Sequence, residues 1–326
     1  MADIVCLGEA LIDLVPTVTG VGLAAADTFV KAAGGAPANV AAGIARLGVA
    51  SGFMGAVGDD GFGHFIADTL AAAGVALTGL RFTSAAPTAI AAVSLKADGD
   101  REFVFYGSPA DHTMFSPEDV DEAVIRHAEI LHFGSISLVS GPVRAATLHA
   151  IDLAHAHGTL VSYDPNLRLS LWPDAETARA GMRLGLSKAD IVKIGEEEVE
   201  FLTDACDLIE GARSLWHPRL RLMAVTRGTK GCTWLNATTQ GQEPGFKVAA
   251  IDTTGAGDAF MAGLLAGLVY HPGLVEDVGT LGRAIRFANA AGALTTTKRG
   301  AIPSLPDRAA VERFLAEHEP AAMAAG

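Results

Sequence analysis

The chain has 326 residues, enough for one large domain or two ordinary ones, and 50% of its residues are hydrophobic. Its formal net charge of −13, without a basic block, argues against a nucleic-acid partner. Three widely spaced cysteines and no Cys/His cluster predict a reducing, cytoplasmic setting and no structural metal. We expect no membrane partner, because the sequence shows neither a signal-peptide pattern nor the roughly 18–20 apolar residues that span a bilayer.

The N-terminal segment predicts a buried strand followed by an extended run. Residues 4–8 are apolar and end in glycine, as in a strand buried on both faces of a parallel sheet. Asp13 lies between aliphatic residues in the run 11–16. A solvent-facing strand residue and a ligand contact are both consistent with that position.

A glycine pair, Gly34 and Gly35, leads into a helix of small residues that contains Asn39 and ends at Gly48. Two glycines before a helix would let a small ligand approach the backbone, with Asn39 facing the loop. A plain loop–helix junction with a solvated Asn39 fits the same residues.

A hairpin is predicted between residues 88–95 and 101–106, because Asp98-Gly99 separates two runs of β-forming residues. Phe103 lies in its second strand. With the extended runs at 11–16 and 29–30, the hairpin would form a small sheet set apart from the main one. We expect this lid to comprise segments at about 11–33 and 86–107.

Three predicted strands in the middle of the chain end in polar residues. Ligands bind at the carboxyl ends of strands in open α/β sheets. Loop hydrogen bonds and complementation of a helix dipole would explain the same residues. The candidates are Arg168 after strand 160–163, Lys193 and Glu198 in and after strand 191–194, and Thr226 and Gly228 at the end of strand 222–226.

A glycine-rich turn, Asp252-Thr253-Thr254-Gly255-Ala256-Gly257-Asp258, runs into an apolar helix. Its amides would lie at a helix start, where unpaired N–H groups and the helix dipole bind anions such as phosphate. Asp258 beside such a nest suggests phosphoryl transfer, with the carboxylate taking the proton of an attacking hydroxyl. Taken alone, the stretch is equally consistent with a helix cap and a simple turn.

Strands spaced by about 30 residues with helices between them predict an α/β fold, a doubly wound, mainly parallel sheet flanked by helices with a small β lid. We expect residues 1–326 to form a single domain. The sequence contains neither Gly-x4-Gly-Lys-Ser/Thr nor a Gly-x-Gly-x-x-Gly after the first strand. The usual P-loop and dinucleotide motifs are therefore excluded.

Two of these motifs, Gly34-Gly35-x3-Asn39 and the turn 252–258, resemble in order and separation the two signatures of the ribokinase-like (PfkB-type) carbohydrate kinases. The resemblance spans nearly the whole chain. Within that family, three further stretches look most like fructokinases. They are residues 163–173, which hold Tyr-Asp-Pro-Asn-Leu-Arg and Leu-Trp-Pro, residues 134–137 and residues 107–111.

The resemblance implies a role for each candidate. Asp258 would be the catalytic base, and Gly255, Ala256 and Gly257 would form the anion hole. The sugar contacts would be Asp13, Gly34, Gly35, Asn39, Phe103, Arg168 and Asp258. The ATP contacts would be Lys193, Thr226, Gly228, Gly255, Gly257 and Asn289.

The resemblance also implies two cations. ATP would carry Mg²⁺, and Glu198 would help to place its water shell. The family's Asn-x-x-Glu motif aligns with Gly195 and Glu198, so the acid is kept and the amide is lost. A monovalent cation, expected to be K⁺, would lie beside the nest. Its ligands would be Asp252, Thr254, Thr295, Lys298, Gly300 and Ser304.

We therefore expect ATP-dependent phosphorylation of fructose to fructose 6-phosphate. Ribose, 2-keto-3-deoxygluconate and an aminoimidazole riboside stay open as acceptors, because the choice among polyols depends on a few hydrogen bonds. A catalytically silent nucleotide-binding regulator is the rival class, and a nicotinamide dehydrogenase is a more distant one. An uncovered lid strand could pair with a second copy and give a homodimer.

Overall fold

The computed structural model describes residues 2–18, 20–95, 101–106, 114–271, 273 and 275–318, and of residues 94, 95 and 101–103 the backbone alone. Its β-strands are β1 (Ile4–Leu7), β2 (Leu11–Pro16), β3 (Phe29–Gly34), β4 (Ser51–Gly58), β5 (Ala76–Thr83), β6 (Ile90–Leu95), β7 (Arg101–Tyr106), β8 (Ile130–Gly134), β9 (Leu160–Asp164), β10 (Ile191–Gly195), β11 (Leu222–Thr226), β12 (Cys232–Asn236) and β13 (Gln240–Glu243). Its α-helices are α1 (Ala36–Arg46), α2 (Gly61–Ala72), α3 (Glu122–His127), α4 (Gly141–His157), α5 (Ala175–Lys188), α6 (Glu196–Thr203), α7 (Leu208–Ser214), α8 (Ala256–Tyr270), α9 (Val278–Thr295) and α10 (Arg308–Glu317).

Nine strands form the main sheet in the order β13-β12-β11-β10-β9-β8-β1-β4-β5. Every neighbouring pair from β11 to β5 is parallel. Strands β12 and β13 add an antiparallel edge. The predicted mainly parallel sheet is confirmed.

Helices cover both faces of this sheet. Ile4 and Cys6 of β1 belong to an apolar cluster shared with α1, α2, α8, α9 and α10. Val5 and Leu7 belong to the cluster shared with α3 to α7. Successive residues of a strand point to opposite faces, so a continuously apolar β1 supplies both clusters. Within the described part of the chain, every helix is too short or too polar to cross a bilayer.

The small sheet has the strand order β3-β2-β6-β7. Strands β6 and β7 pair antiparallel, with Ile90 opposite Tyr106, which confirms the predicted hairpin. Its predicted turn, Asp98-Gly99, lies outside the described residues. Strand β2 follows β1 within a few residues and places Asp13 opposite Ala32 of β3. The small sheet is therefore joined through β2 to the carboxyl end of β1 in the main sheet.

Three local features differ from the sequence-based expectations. Strands β5 and β13 were not predicted, because Gly79 interrupts the first and the second consists of Gln, Gly and Glu. Ser116-Pro117-Glu118 has the pattern of a capped helix start, but the residues that follow form only one 3₁₀ turn, Pro117–Asp119. Asp119 accepts the Ser116 amide hydrogen and closes that turn, and α3 begins only after a second cap, Asp121.

Helices α1 and α8 pack closely through Gly43 and Ala262. A Cβ atom at Gly43 would lie 2.7 Å from the Ala262 Cβ atom, closer than van der Waals contact allows. Asn39 and Asp258 lie one helical turn before these two residues. The glycine therefore brings the starts of the two helices together.

We predict that Gly43→Val lowers the free energy of unfolding by about 1–3 kcal/mol, because overpacking forces the two helices apart. Gly61→Ala is the control, since no atom lies within 4 Å of a Cβ at Gly61. Urea-induced unfolding followed by circular dichroism measures both. An unchanged unfolding midpoint for Gly43→Val would show that the helices do not depend on this contact.

Candidate active site

Three adjoining cavities form a cleft at the carboxyl ends of the parallel strands. An inner cavity of about 180 Å³ lies between the small sheet and the starts of α1 and α8. A middle cavity of about 570 Å³ lies beside the start of α6 and shares Arg168 and Lys193 with the inner one. An apolar cavity of about 330 Å³ lies beside α9 and shares Thr226 and Gly228 with the middle one. The cleft is thus continuous along the sheet edge.

Asp258 lies at the bottom of the inner cavity, in the first turn of α8. The helix begins after Gly255, which has φ +78°. A Cβ at Gly255 would also lie 3.0 Å from the Ala301 Cβ atom. Glycine is therefore required here both for the left-handed backbone and for the close approach.

Asn39 holds the Asp258 carboxylate in place. Its Nδ2 donates to Asp258 Oδ2 at 2.8 Å, and both side chains are buried. Burial raises the pKa of Asp258, while the Asn39 hydrogen bond and the charges of Lys193 and Arg168 lower it in part. The net direction is upward, so Asp258 accepts a proton more readily than an exposed aspartate does.

The amides at the start of α8 have the placement that suits an anion. The Ala256 N–H donates to the Thr253 carbonyl oxygen at 3.3 Å, a long turn bond. Among the residues that the structure describes, no acceptor is bonded to the N–H groups of Gly255 and Gly257. A Cβ at Gly257 would lie 3.0 Å from Lys193 Nζ, so a side chain there would crowd the ammonium. Gly255, Gly257 and Lys193 all line the inner cavity, so the start of α8 and an ammonium group border the same space.

Lys193 forms a buried ion pair with Asp164, with distances of 2.9 and 3.1 Å between Nζ and the two carboxylate oxygens. Burial lowers the pKa of Lys193, but the charges of Asp164, Glu198 and Asp258 outweigh burial and hold it above its usual value. Lys193 thus stays positively charged between the inner and middle cavities. The sequence placed Asp164 among the polar residues at a strand end, but it did not predict the ion pair with Lys193.

The predicted sugar contacts that line the inner cavity are Asp13, Gly35, Asn39, Arg168 and Asp258. Gly34 lies behind Asp13, where a Cβ would stand 2.1 Å from the Asp13 carboxylate. Strand β7 places the backbone of Phe103 opposite Val93, and the Phe103 side chain lies outside the described residues. The structure therefore brings five of these seven residues to one cavity wall.

Several further residues line the inner cavity and were not among the predicted site residues. Glu9 follows β1, and its Oε1 accepts the Ala36 N–H at 2.9 Å, which fixes the start of α1. Asn166 has φ +45°, an uncommon value outside glycine. Phe105 and Ile136 also line the cavity and supply apolar surface to its wall. The strand-end rule could have found Glu9, since it follows a buried strand, and Asn166 belongs to the polar strand end at which a ligand was predicted to bind.

The predicted ATP contacts divide between the cavities. Thr226 and Gly228 line the middle and apolar cavities, and Gly257 and Asn289 line the apolar one. Asn289 Nδ2 donates to the carbonyl oxygens of Glu243 and Pro244, both at 3.2 Å. This side chain therefore anchors the loop that walls the apolar cavity.

Glu198 lines the middle cavity with its carboxylate already bonded. Its Oε1 accepts the Leu167 N–H and its Oε2 the Gly195 N–H, both at 2.7 Å. No cluster of three or more His, Cys, Asp or Glu side chains suited to a metal ion occurs among the described residues. The donor set fits a Mg²⁺ ion that keeps most of its waters and binds mainly phosphate oxygens.

Asp252 joins the segments predicted to hold a monovalent cation. Its Oδ1 accepts the Thr254 N–H at 2.9 Å, and its Oδ2 accepts the Gly300 N–H at 3.0 Å. The hydroxyls of Thr295 and Ser304 donate to backbone carbonyls. The Lys298 N–H donates to the Thr295 carbonyl oxygen at 3.4 Å. Carbonyl and hydroxyl oxygens of these segments therefore keep lone pairs that are available to a cation.

Comparison with known proteins gives consistent matches. The profile of the pfkB family carbohydrate kinases matches residues 1–308. Fructokinase-2 of Solanum lycopersicum is 49% identical over 304 residues, 93% of each chain. The fructokinase of Xylella fastidiosa with bound ATP superposes with a TM-score of 0.88 at 37% identity, covering 96% of this chain and 98% of its own. The fructokinase of Vibrio cholerae O395 with fructose, ADP and calcium bound gives 0.88 at 37% identity, covering 97% and 99%.

These likenesses extend over nearly the full length of the chain and of its relatives. They agree with the motifs at Asn39 and Asp258 and with the strand order of the main sheet. The chain belongs to the pfkB family of carbohydrate kinases.

Proposed function

We propose that this protein transfers the terminal phosphoryl group of ATP to fructose and yields fructose 6-phosphate and ADP. The single observation that carries the proposal is the position of Asp258, a buried carboxylate bonded to Asn39. It lies beside the amides of Gly255 and Gly257, to which no acceptor among the described residues is bonded. The choice of fructose is supported by the relatives named fructokinase and by the neighbour that contains fructose and ADP.

The sugar would occupy the inner cavity, whose polar wall includes Asp13, Asn39 and Arg168. The base of ATP would occupy the apolar cavity, and its phosphates the middle one. This arrangement brings the terminal phosphate to the amides of Gly255 and Gly257, next to Asp258. A polar pocket for a polyol and an apolar pocket for a flat base match the chemistry of the two substrates.

In the reaction, Asp258 takes the proton of a primary hydroxyl of the sugar, and that oxygen bonds to the terminal phosphorus. The bond from phosphorus to the bridging oxygen breaks, and ADP leaves with the electron pair. The amides and Lys193 stabilise the charge on the moving phosphoryl group without reorganising. The proton leaves Asp258 for solvent after the products depart.

The small sheet would close over the sugar as a lid. Phe105 of β7 and Leu11 of β2 line the inner cavity from that side. Closure excludes water, which would otherwise accept the phosphoryl group, and strengthens the charge interactions inside.

Mg²⁺ would bind with ATP, with Glu198 oriented toward its water shell, and would neutralise phosphate charge when bound. K⁺ would bind the carbonyl oxygens around Asp252 and help to fix the turn before α8. The residues present fit both ions, since the Glu198 carboxylate faces the middle cavity and Asp252 ties two carbonyl-bearing segments together.

A panel of acceptors with Mg-ATP, read as ADP release in K⁺ and in Na⁺, tests the substrate. Fructose should give the highest kcat/KM, ahead of ribose, 2-keto-3-deoxygluconate and aminoimidazole riboside. A higher value for one of these three would reassign the acceptor. Tight ATP binding without turnover on any acceptor would favour the silent regulator.

We predict that Asp258→Asn lowers kcat at least about 100-fold, because the general base is lost. Binding of ADP, measured by calorimetry, should be retained. The control is Asp59→Asn, since Asp59 is exposed and pairs only with His64 among the described side chains. Near-normal turnover of Asp258→Asn would show that another group takes the proton.

We predict that Asn39→Ala moves the acid limb of the kcat/KM profile to higher pH. The Asn39 N–H stabilises the charged carboxylate, so its loss raises the pKa of Asp258 further. The base must be ionised to act, and the activity is therefore lost at a higher pH as the solution is acidified. Phe105→Leu is the control, because Phe105 lines the same cavity without a bond to Asp258. It should change the KM for the sugar and leave the acid limb of the profile at the wild-type pH. A limb that stays or moves to lower pH in Asn39→Ala contradicts the assignment.

A homodimer through the lid remains a prediction. Strand β3 is an edge of the small sheet, and its Phe29 and Val30 are exposed. An edge strand with exposed apolar side chains can pair with a second copy. Light scattering should give twice the chain mass, and Val30→Lys should give the mass of one chain. A single-chain mass for the wild-type protein would remove the dimer.

A further inference from the structure

Phe246 forms part of the wall of the apolar cavity, and residues of α9 and α10 pack against its ring. Phe246 is buried and lines the cavity. Its ring centroid lies 5.0 Å from that of Phe314 of α10, with the planes at 67°. The guanidinium carbon of Arg286 of α9 lies 4.9 Å from the Phe246 ring centroid. Both contacts have the geometry of attractive aromatic interactions.

His318, directly after α10, closes this cluster. Arg286 Nη2 donates to the His318 carbonyl oxygen at 2.8 Å. The His318 ring lies 4.1 Å from Phe314 and 5.7 Å from Phe246, measured between centroids. We call Phe246, Arg286, Phe314 and His318 the aromatic clasp. It links the cavity wall, α9 and the end of α10 through side chains that contact one another.

Phe246 lies in a segment without regular secondary structure. Residues 244–250 lie outside every helix and strand. The segment is held at its start, where Asn289 bonds the carbonyl oxygens of Glu243 and Pro244. Gly245 passes against Thr229, where a Cβ would lie 2.5 Å from the carbonyl oxygen. Beyond Gly245, the orientation of the Phe246 ring depends on the side chains that pack against it. Among these are the other three residues of the aromatic clasp, Arg286, Phe314 and His318.

We propose that α10 is part of the nucleotide site, because the aromatic clasp positions Phe246 as the surface on which the base of ATP packs. The inference rests on the proposed function, which places the base in the apolar cavity. Phe246 contacts the base, and Arg286, Phe314 and His318 are positioning residues that act through it. Docking of α10 therefore sets the affinity for nucleotide and leaves the affinity for sugar unchanged, since no clasp residue lines the inner or middle cavity.

The chain contains a matched control for the clasp. Arg308, at the other end of α10, stacks its guanidinium carbon 4.5 Å from the Tyr270 ring centroid. This contact also places a guanidinium over an aromatic ring, as Arg286 does on Phe246, and it fastens α10 to α8. Neither Arg308 nor Tyr270 lines any of the three cavities of the cleft. Loss of the contact between Arg308 and Tyr270 should loosen α10 without removing any side chain that packs on Phe246.

The experiment compares Arg286→Ala with Arg308→Ala in the full chain, by calorimetric Kd for ADP, KM for ATP and for fructose, kcat and unfolding midpoint. We expect Arg286→Ala to raise the Kd for ADP and the KM for ATP about 3- to 10-fold, as loss of one cation–π contact implies. Its kcat and KM for fructose should stay within about twofold of wild type. Arg308→Ala should leave all four constants within about twofold of the wild-type values, even if it lowers the unfolding midpoint as much as Arg286→Ala does.

Two further variants guard against a folding defect. Arg286→Lys keeps a cation over the ring and should recover part of the ADP affinity. Phe314→Leu keeps apolar volume but removes the ring, and should weaken ADP binding without raising the KM for fructose. Equal effects of Arg286→Ala and Arg308→Ala on ADP, or a KM for fructose that rises as much as that for ATP, would overturn the inference. If the wild-type protein neither binds ADP nor phosphorylates a sugar, the proposed function itself fails.

Discussion

The hydrogen bond between Asn39 and Asp258 is the contact on which the rest of the site depends. It joins residues 219 positions apart, each in the first turns of a helix that starts after a glycine with positive φ. The two helices meet because Gly43 lets them approach one turn further along. One bond thereby aligns the wall of the inner cavity with the amides before α8. The residues to which we assign the phosphoryl transfer lie around that alignment.

Electrostatics explains why a carboxylate can remain at this position. Burial disfavours the charge on Asp258, and Asn39, Lys193 and Arg168 compensate only in part. The remaining imbalance makes Asp258 a better base than an exposed aspartate. Lys193 is in turn kept charged by Asp164, in a place where an incoming phosphate would add negative charge. Under the proposed function, the buried ion pair supplies a preorganised cation for the phosphoryl group.

Much of the fold could be predicted from periodicity and glycine placement. The apolar run of β1, the Asp-Gly signal of the hairpin and the glycines before α1 and α8 are local, and local patterns are visible in sequence. Strand β13 was not predictable, because its polar residues form a strand only as partners of β12. The aromatic clasp could not be predicted for the same reason, because no residue near Phe246 in the sequence indicates that Phe314 packs against it. Asp164 was visible as a strand-end residue, but its pairing with Lys193 is a tertiary fact.

The most direct test is a crystal structure of the protein with ADP, fructose and a planar fluoride analogue of the transferring phosphoryl group. We expect the primary hydroxyl oxygen of the sugar within about 2.6–3.2 Å of the Asp258 carboxylate, the range of a proton-transfer contact. The analogue should lie on the amides of Gly255 and Gly257. A sugar whose hydroxyl faces another group, with Asp258 bonded to Asn39 alone, would contradict the central claim.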